Sequence, residues 1–471
     1  MGKRINIKIT TAINVIILVS LFLIFLSTGE KAWSDLEEVT RILSGISIGL
    51  LAWYIFLIKK FKLKIYDFRI YFIVLNMIFI MGQIWICFFG KQEYLFWKLL
   101  LRANVAAVMN GGMIALLIQH GFVTGMFSGK EKTSTLNRKP AEYGGNLLWN
   151  TGLITFIIFF PLKIYYDVVY MAAATATSGY LDSSQISVNG MIYCFGVVSL
   201  VGIFYMIESK KLSKNGVKIL VAVISIYFII TMLGTGDRRF AIIALLCILL
   251  CYFHSYKIKL KASVIIPVLC IGYVALVFLN IISSTRKTTG IPSGAALLDG
   301  VINGMLSFDV IWDNFAEFGI TLMCYVYTYQ YFPALFPYRM GSQILVNIVA
   351  VLPIGGALAN WKEATGIQTA INNYVKQPLG GALGTDLYGN FGLFSFVVAV
   401  ALGYLIKRLM DIRKVELSDY ESAKYFSLMY IMINMVRAGF GEIIRLGFYC
   451  YFVPIIILLL LAQKTSNKRK V

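Results

Sequence analysis

Charged residues, histidines and nucleotide-binding motifs are all scarce in this sequence. Only 14% of the 471 residues are charged, and two are histidines, whereas about a quarter of a soluble domain is charged. The chain has no P-loop and no Gly-x-Gly-x-x-Gly turn after a strand. These shortages argue against a soluble enzyme and an ATP-driven pump, and they predict no metal site and no cofactor.

The seven cysteines form no metal-binding or redox pattern. Most of them fall within apolar runs, where a free cysteine behaves as a small hydrophobic residue. Cys247 and Cys251 are four residues apart, but no histidine or second cysteine pair accompanies them. Zinc binding and redox chemistry are therefore not expected.

Apolar residues dominate instead, at 59% of the chain with a mean hydropathy of +0.76. Runs of about 18 or more apolar residues, long enough to cross a bilayer, recur along the whole length. The sequence predicts an all-α polytopic membrane protein with about twelve transmembrane helices. Their predicted ranges are 11–29, 42–58, 69–90, 95–119, 146–166, 188–207, 217–234, 240–254, 262–283, 387–406, 424–441 and 446–462.

The net charge of +20 is unevenly distributed. With a cytoplasmic amino terminus, the whole excess falls in cytoplasmic segments such as "KKFKLK", "ESKKLSKNGVK" and "QKTSNKRK". This agrees with the positive-inside rule. It predicts a multi-pass protein of the bacterial cytoplasmic membrane with both termini in the cytoplasm. The charge then orients the chain among membrane lipids, and nucleic acid is not an expected partner.

A long segment, 284–386, separates membrane helices one to nine (1–283) from helices ten to twelve and a basic cytoplasmic tail (387–471). It contains two short apolar stretches, "GITLMCYVYTYQYF" and "QILVNIVAVLPIGGAL", which predict interfacial or re-entrant helices. If both stretches crossed the membrane, the chain would have fourteen spans. If only one crossed, the basic "KRLMDIRK" would lie outside, against the positive-inside rule. Loops of this length are uncommon unless functional, so 284–386 is predicted to be a large functional extracytoplasmic loop.

Three carboxylates in this loop have helical spacing. Asp309, Asp313 and Glu317 stand at i, i+4 and i+8, which places them on one face of a helix. Two interpretations stay open. The face is either the solvated side of an interfacial helix, or a set of bases and cation partners that face a cleft.

Two adjacent arginines lie at the outer mouth of a short predicted span. Arg238 and Arg239 occur in "LGTGDRRFAI", and the span after them, 240–254, gives only about 22 Å of helix. The hydrocarbon core is about 30 Å thick, so both arginines are predicted at or below the outer interface. They either reach lipid phosphates by snorkelling or face a polar cavity, with Asp237 as a partner.

Further arginines are predicted at the same outer level, namely Arg286, Arg339, Arg437 and Arg445. The planar arginine fork binds phosphate oxygens bidentately and keeps its charge. A lipid-linked diphosphate lies at this depth of a membrane. The pattern therefore predicts an enzyme or transporter that handles such a lipid.

The segment "TGDRRFAIIALL" resembles the Gly-x-Arg turn of Wzy-type oligosaccharide repeat-unit polymerases, which build capsules and O-antigens. The late outer loop is also similar to theirs. An apolar helix, a proline turn, an Arg-Met-Gly turn and a second apolar stretch lead to "NNYVKQPLGGALGTDLYGNFG", in which an acidic residue precedes "YGNFG". The resemblance covers residues 234–405.

This resemblance implies a metal-independent glycosyltransferase with a GT-C-like helical fold. Its donor would be a growing glycan on undecaprenyl diphosphate, and its acceptor would be one lipid-linked repeat unit. An acceptor hydroxyl would attack the anomeric carbon, and undecaprenyl diphosphate would leave. The flippase and the chain-length regulator of the same pathway are further implied partners.

Such a reaction needs cations that stabilise the leaving diphosphate. The predicted diphosphate ligands are Arg238, Arg239, Arg286, Arg339, Arg437 and Arg445, with Arg239 also counted as catalytic.

A carboxylate is expected to assist the attacking hydroxyl. Glu317 and Asp386 are the leading catalytic carboxylates, and Asp309 and Asp313 follow as bases or glycan contacts. Asp386 precedes "YGNFG" where many relatives are expected to have glutamate, and this shortens the side chain by one methylene.

Tyrosines and glycines of the loop are the predicted contacts for the glycan itself. Tyr325, Tyr327 and Tyr388 are predicted to stack on sugar faces, or else to belong to an interfacial aromatic belt. The glycine-rich "GGALGTDLYGNFG" is predicted to let the backbone approach a bulky glycan closely.

Three other functions fit parts of the pattern. A ligase that joins a finished glycan to another acceptor would use the same groups. A flippase should carry charges in mid-span and an internal repeat, whereas most charges lie at the span ends and no clear repeat is found. A non-enzymatic membrane organiser leaves the outer arginines unexplained.

Overall fold

The structure, a computed structural model, describes residues 2–29, 33–128, 143–176, 190–235, 239–258, 270, 272–278, 280–281, 294–307, 309–352, 360–361, 365–376, 379–411 and 418–468. Side chains are described in these ranges except at 2–7, 97, 173–176, 190, 233–235, 239–240, 294–298 and 465–468. Helices, turns and short connections account for everything described.

The α-helices are, in chain order, α1 Gly2–Gly29, α2 Leu36–Lys60, α3 Phe68–Phe88, α4 Leu99–Arg102, α5 Val105–Phe127, α6 Gly145–Ala176, α7 Gly190–Glu208, α8 Lys214–Thr235, α9 Arg239–Ser255, α10 Gly294–Leu306, α11 Asp309–Phe318, α12 Thr321–Tyr331, α13 Ser342–Val349, α14 Ile367–Val375, α15 Leu383–Phe391, α16 Ser395–Leu409, α17 Asp419–Ile433 and α18 Phe440–Lys468.

Within the described ranges, nine helical segments are long and apolar enough to cross a membrane. They are Lys8–Gly29, Leu36–Lys60, Phe68–Phe88, Val105–Phe127, Gly145–Ala172, Met191–Glu208, Lys214–Met232, Leu383–Leu409 and Phe440–Lys464. The apolar helix Ala241–Ser255 is shorter. The all-helical polytopic class is confirmed. The total of twelve or fourteen spans stays a prediction, and most of the predicted span 262–283 lies outside the described residues.

Some helix ends differ from the ranges predicted by hydropathy. The predicted span 95–119 corresponds to α5, which begins later because the Asn104 side chain accepts a hydrogen bond from the backbone N–H of Ala107 at 3.0 Å. Such a cap fixes where a helix starts. The predicted span 424–441 contains the end of α17, a 3-10 turn and the start of α18. A run of apolar residues does not reveal either kind of boundary.

The chain divides into two compact units. The first comprises Met1–Lys139, Trp312–Asp411 and Met435–Ile444. Helix α5 lies at its centre and packs against α1, α12 and α16. Glycines allow these close contacts: a Cβ on Gly111 would lie 2.7 Å from the Cα of Val326, and one on Gly121 would lie 2.6 Å from the carbonyl oxygen of Phe396. Small residues serve membrane helices in this way.

The second unit comprises Pro140–Ile311, Ile412–Asn434 and Arg445–Val471. Helices α6 and α7 form its most extensive helix pair, and a buried ion pair joins Lys163 to Asp167 on α6. The hydroxyl of Tyr227 donates to the same Asp167 carboxylate. These bonds satisfy charges that would be costly to leave unpaired in a membrane span.

The packing around α5 predicts that Gly111→Ala destabilises the protein. The added methyl group would meet the backbone of α12, which cannot swing away as a side chain can. Overpacking of this kind costs about 1–3 kcal/mol, so we expect a lower midpoint of thermal unfolding for the purified protein.

Gly45→Ala is the matched control, since Gly45 also lies in a membrane helix and a Cβ there meets nothing within 4 Å. Equal midpoints for the two variants would contradict the packing role of Gly111.

Candidate active site

The Arg-Met-Gly turn (residues 339–341) and the YGNFG segment (residues 388–392) lie side by side in the first unit. The backbone N–H of Arg339 donates to the carbonyl of Gly389 at 3.0 Å, and that of Met340 donates to the carbonyl of Asn390 at 2.9 Å. The N–H of Gly341 donates to Oδ1 of Asn390 at 3.1 Å. Three hydrogen bonds therefore join two of the motifs on which the sequence resemblance rests.

This junction needs glycine at two positions. Gly341 has a φ of +82° and Gly392 a φ of +54°, in the left-handed region that favours glycine. A Cβ on Gly392 would also lie 2.8 Å from the ring of Tyr338. The hydroxyl of Tyr338, the residue before the Arg-Met-Gly turn, donates to that of Tyr388 at 3.3 Å, which adds a side-chain contact at this junction.

Asp386, in the first turn of α15, is buried with 3% of its surface exposed. Its Oδ1 accepts a hydrogen bond from Nε2 of Gln343 at 3.2 Å. Its Oδ2 accepts one from the backbone N–H of Phe440 at 2.6 Å. A Cβ on Gly439 would lie 3.0 Å from Oδ2. Both carboxylate oxygens therefore have donors from the protein, as a buried carboxylate requires.

Asn390 fixes the orientation of the Gln343 amide. Its Nδ2 donates to Oε1 of Gln343 at 2.8 Å and to the carbonyl oxygen of Asp386 at 2.7 Å. Because the Gln343 oxygen accepts from Asn390, its nitrogen faces Asp386. The polar groups form a continuous chain from the Asp386 carboxylate to the Arg-Met-Gly turn.

Tyr325 and Tyr388 are both buried at 3% exposure. The hydroxyl of Tyr325 occupies the space where a Cβ on Gly384 would lie, and burial raises the pKa of Tyr325, so its hydroxyl stays neutral. At Gly389, the side chain of Ile367 occupies the space that a Cβ would fill. At both glycines, therefore, the groups that approach the backbone are side chains of the protein itself. Stacking of the two tyrosines on sugars stays a prediction.

Arg437 lies half-buried beside the start of the glycine-rich segment. Its guanidinium carbon is 5.8 Å from the ring centre of Phe79, and its Nε would lie 3.5 Å from a Cβ on Gly380. The Phe79 ring also stacks on Phe318 at 5.3 Å, and Phe318 follows Glu317 in α11. Phe79 thus links the surroundings of one predicted diphosphate ligand to the helix that carries one predicted base.

The three carboxylates of α11 differ in burial. Glu317 is interior at 3% exposure, Asp313 is half-buried and Asp309 is exposed. Oδ2 of Asp309 accepts a hydrogen bond from the hydroxyl of Ser307 at 2.8 Å. The interpretation of a solvated face fits Asp309 and does not fit Glu317.

The remaining predicted arginines are only partly described. Arg339 is half-buried, and its Nε is a buried atom with no hydrogen-bond partner among the described residues. Arg445 is half-buried in the second unit. Arg239 opens α9, but its side chain lies outside the described part of the chain, and Arg238 and Arg286 lie outside it altogether. Among the side chains described, no three His, Cys, Asp or Glu residues stand together as metal ligands.

The fold and these motifs define a polytopic helical membrane protein with a buried polar site beside its last spans. The family model for O-antigen polysaccharide polymerase Wzy matches residues 9–470, nearly the whole chain. The chain belongs to this family, which polymerises oligosaccharide repeat units into polysaccharide. No curated protein and no solved structure matches the chain. The match confirms the resemblance over 234–405 and extends it to the earlier spans.

Sequence reasoning missed the groups that hold this site together. Gln343, Asn390 and the backbone of Phe440 were not predicted as site residues. The available signal was polarity, because Gln343 and Asn390 are buried, uncharged polar residues in a strongly apolar chain. The burial of such residues is tolerated only when their hydrogen bonds are satisfied.

The amide chain predicts that Asn390→Asp destabilises the protein. The new carboxylate would face two acceptors, the Gln343 oxygen and the Asp386 carbonyl, and a flip of the Gln343 amide would only move the repulsion to the Asp386 carboxylate. Loss of buried hydrogen bonds costs about 1–3 kcal/mol, and more for charged groups. We expect a lower thermal midpoint.

Asn373→Asp makes the same chemical change at an exposed position of α14 and should leave the midpoint unchanged. If Asn390→Asp behaves like this control, the amide chain does not hold the two motifs together.

Proposed function

We propose that the chain joins undecaprenyl-diphosphate-linked repeat units on the outer face of the bacterial cytoplasmic membrane. Membership of the family establishes polymerisation of repeat units. The lipid carrier, the membrane face and the chemistry are proposed in addition. The observation that supports it most is the junction between the Arg-Met-Gly turn and the YGNFG segment, which brings an arginine-bearing turn against the buried end of α15.

The reaction is a displacement at the anomeric carbon of the donor sugar. A hydroxyl oxygen of the acceptor repeat unit forms the new bond to that carbon. The bond from the carbon to the diphosphate oxygen breaks, and its electron pair leaves with undecaprenyl diphosphate. The proton of the attacking hydroxyl passes to a carboxylate, so atoms and charge balance.

Arginines stabilise the departing diphosphate in this proposal. The lipid diphosphate is a good leaving group, so charge stabilisation is the main task. Arg437 supports this role because its guanidinium lies half-buried over Phe79, where less water competes with a phosphate. Arg239 and Arg339 have the same proposed role, together with Arg238, Arg286 and Arg445. With several fixed cations the reaction is proposed to proceed without a metal.

A carboxylate accepts the proton from the acceptor hydroxyl. Glu317 and Asp386 are the two leading groups, and their surroundings differ. Glu317 lies in the interior of the first unit beside Phe318, and Asp386 accepts hydrogen bonds from Gln343 and from the backbone N–H of Phe440. Asp309, Asp313, Tyr325 and Tyr388 remain proposed glycan contacts.

The proposed topology has cytoplasmic termini and places 284–386 on the extracytoplasmic side, as the charge distribution favours. Repeat units would then arrive through a flippase, and a chain-length regulator would act on the product. Both partners are proposed from the order of the reactions, since the substrate must reach the outer leaflet before it is polymerised.

We expect deletion of the gene to reduce the host's lipid-linked surface glycan to single repeat units on the outer leaflet, because linkage between units stops while their supply continues. The length distribution of the extracted glycan and its accessibility from outside measure this.

Single units trapped on the inner leaflet would instead indicate a flippase. Long chains that stay on the lipid and never reach their final attachment would indicate a ligase. Either result would overturn the proposal.

Replacing Arg239 with alanine or with lysine should lower polymer synthesis about a hundredfold or more, as removal of one donor to a developing oxyanion does. Lysine keeps the charge but loses the bidentate fork, so it should not restore activity. The measurement is glycan length with equal amounts of inserted protein.

Arg41→Lys provides the control, since Arg41 is exposed on α2 in a surface ion pair with Glu37. Wild-type chain lengths in both Arg239 variants would exclude a role in diphosphate binding.

A further inference from the structure

We propose that Asp386 is a positioning residue and not the catalytic base. Its carboxylate connects the segments that follow Arg339 and Arg437 to the start of α15. This inference rests on the proposed function, because it takes the two arginines as ligands of the lipid diphosphate.

The two hydrogen bonds of the carboxylate go to different parts of the chain. Oδ1 accepts from Gln343, which lies four residues after Arg339. Oδ2 accepts from the backbone N–H of Phe440, which lies three residues after Arg437. One buried carboxylate therefore connects both arginine segments to one helix. Loss of the bond to Phe440 would loosen the Arg437 segment, and loss of the bond to Gln343 would weaken the hold on the Arg339 segment, which keeps its bonds to Gly389 and Asn390.

The same geometry argues against a role as base. A general base needs an oxygen within hydrogen-bond reach of the substrate hydroxyl. Each oxygen of Asp386 points to a donor of the protein, and Gly439 lies against Oδ2 so closely that a Cβ there would be 3.0 Å away. The residue is 3% exposed. A sugar hydroxyl would have to displace one of the protein's own hydrogen bonds.

The donor and acceptor roles in this chain of hydrogen bonds can be exchanged between residues 386 and 343. Gln343 donates to Asp386 and accepts from Asn390. In Asp386→Asn, the new amide oxygen can still accept from Phe440, but its nitrogen would face the nitrogen of Gln343. A glutamate at 343 would offer oxygens to both neighbouring amide nitrogens. The double variant Asp386→Asn/Gln343→Glu thus keeps the hydrogen bonds while moving the carboxylate.

The test uses the purified full chain in lipid vesicles, with a lipid-linked single repeat unit as substrate and undecaprenyl diphosphate as an inhibitor. Asp386→Asn should raise the inhibition constant of undecaprenyl diphosphate about tenfold, the equivalent of about one buried hydrogen bond, and should lower kcat/KM at least as much. The double variant should bring both values back to within about threefold of wild type.

A catalytic base gives a different result. Asp386→Asn would then lower kcat and leave the inhibition constant unchanged, and the double variant would stay inactive because the carboxylate has moved. Either finding would overturn the inference. If the wild-type protein itself formed no polymer, the proposed function would be wrong, and the inference that rests on it would fall too. If the wild-type protein formed polymer but Asp386→Asn left the inhibition constant unchanged, only the inference would fail.

Gln343→Met keeps the test decisive if Asp386→Asn does not fold. It removes one donor and leaves the carboxylate at 386 in place. Positioning predicts a raised inhibition constant, whereas an unchanged constant would overturn the inference. Gln92→Met is the matched control, because Gln92 is exposed in a short 3-10 turn and should not affect the inhibition constant.

Discussion

The buried carboxylate of Asp386 imposes the constraint on which the site depends. A carboxylate in the interior is tolerated only when its oxygens are hydrogen-bonded. Gln343 and the backbone of Phe440 meet this requirement, and Gly439 leaves room for the oxygen beside it. The segments that supply these donors are therefore fixed relative to α15, and Arg339 and Arg437 are fixed with them through a few intervening residues.

The rest of the first unit supports this arrangement by close helix packing. Helix α12 contacts α15 through Tyr325, whose hydroxyl fills the space beside Gly384. It also packs closely against α5, because Gly111 has no side chain there. Polar groups around α15 pair with each other, and apolar and glycine surfaces pack outside them. In the proposed reaction, fixed arginines would stabilise the departing lipid diphosphate, since a preorganised site loses no energy to reorganisation during the reaction.

The sequence predicted the features that composition and local pattern determine. These include the helical membrane class, the helix that carries Asp309 to Glu317, and the polymerase family, which the match over residues 9–470 confirms. Helix ends were less predictable, because α5 starts at a cap from Asn104 and not where the apolar run begins. The pairing of Gln343 with Asp386 was not predictable, since it joins residues that are distant in sequence and requires knowledge of which backbone groups meet.

The central claim is that this protein links lipid-bound repeat units to one another. In the most direct measurement, the purified protein is incubated in vesicles with a single lipid-linked repeat unit, and both the glycan length and the released undecaprenyl diphosphate are followed. The account predicts a ladder of chains, with one undecaprenyl diphosphate released for each linkage formed. Glycan that stays at one repeat unit, with no release of lipid diphosphate, would contradict it.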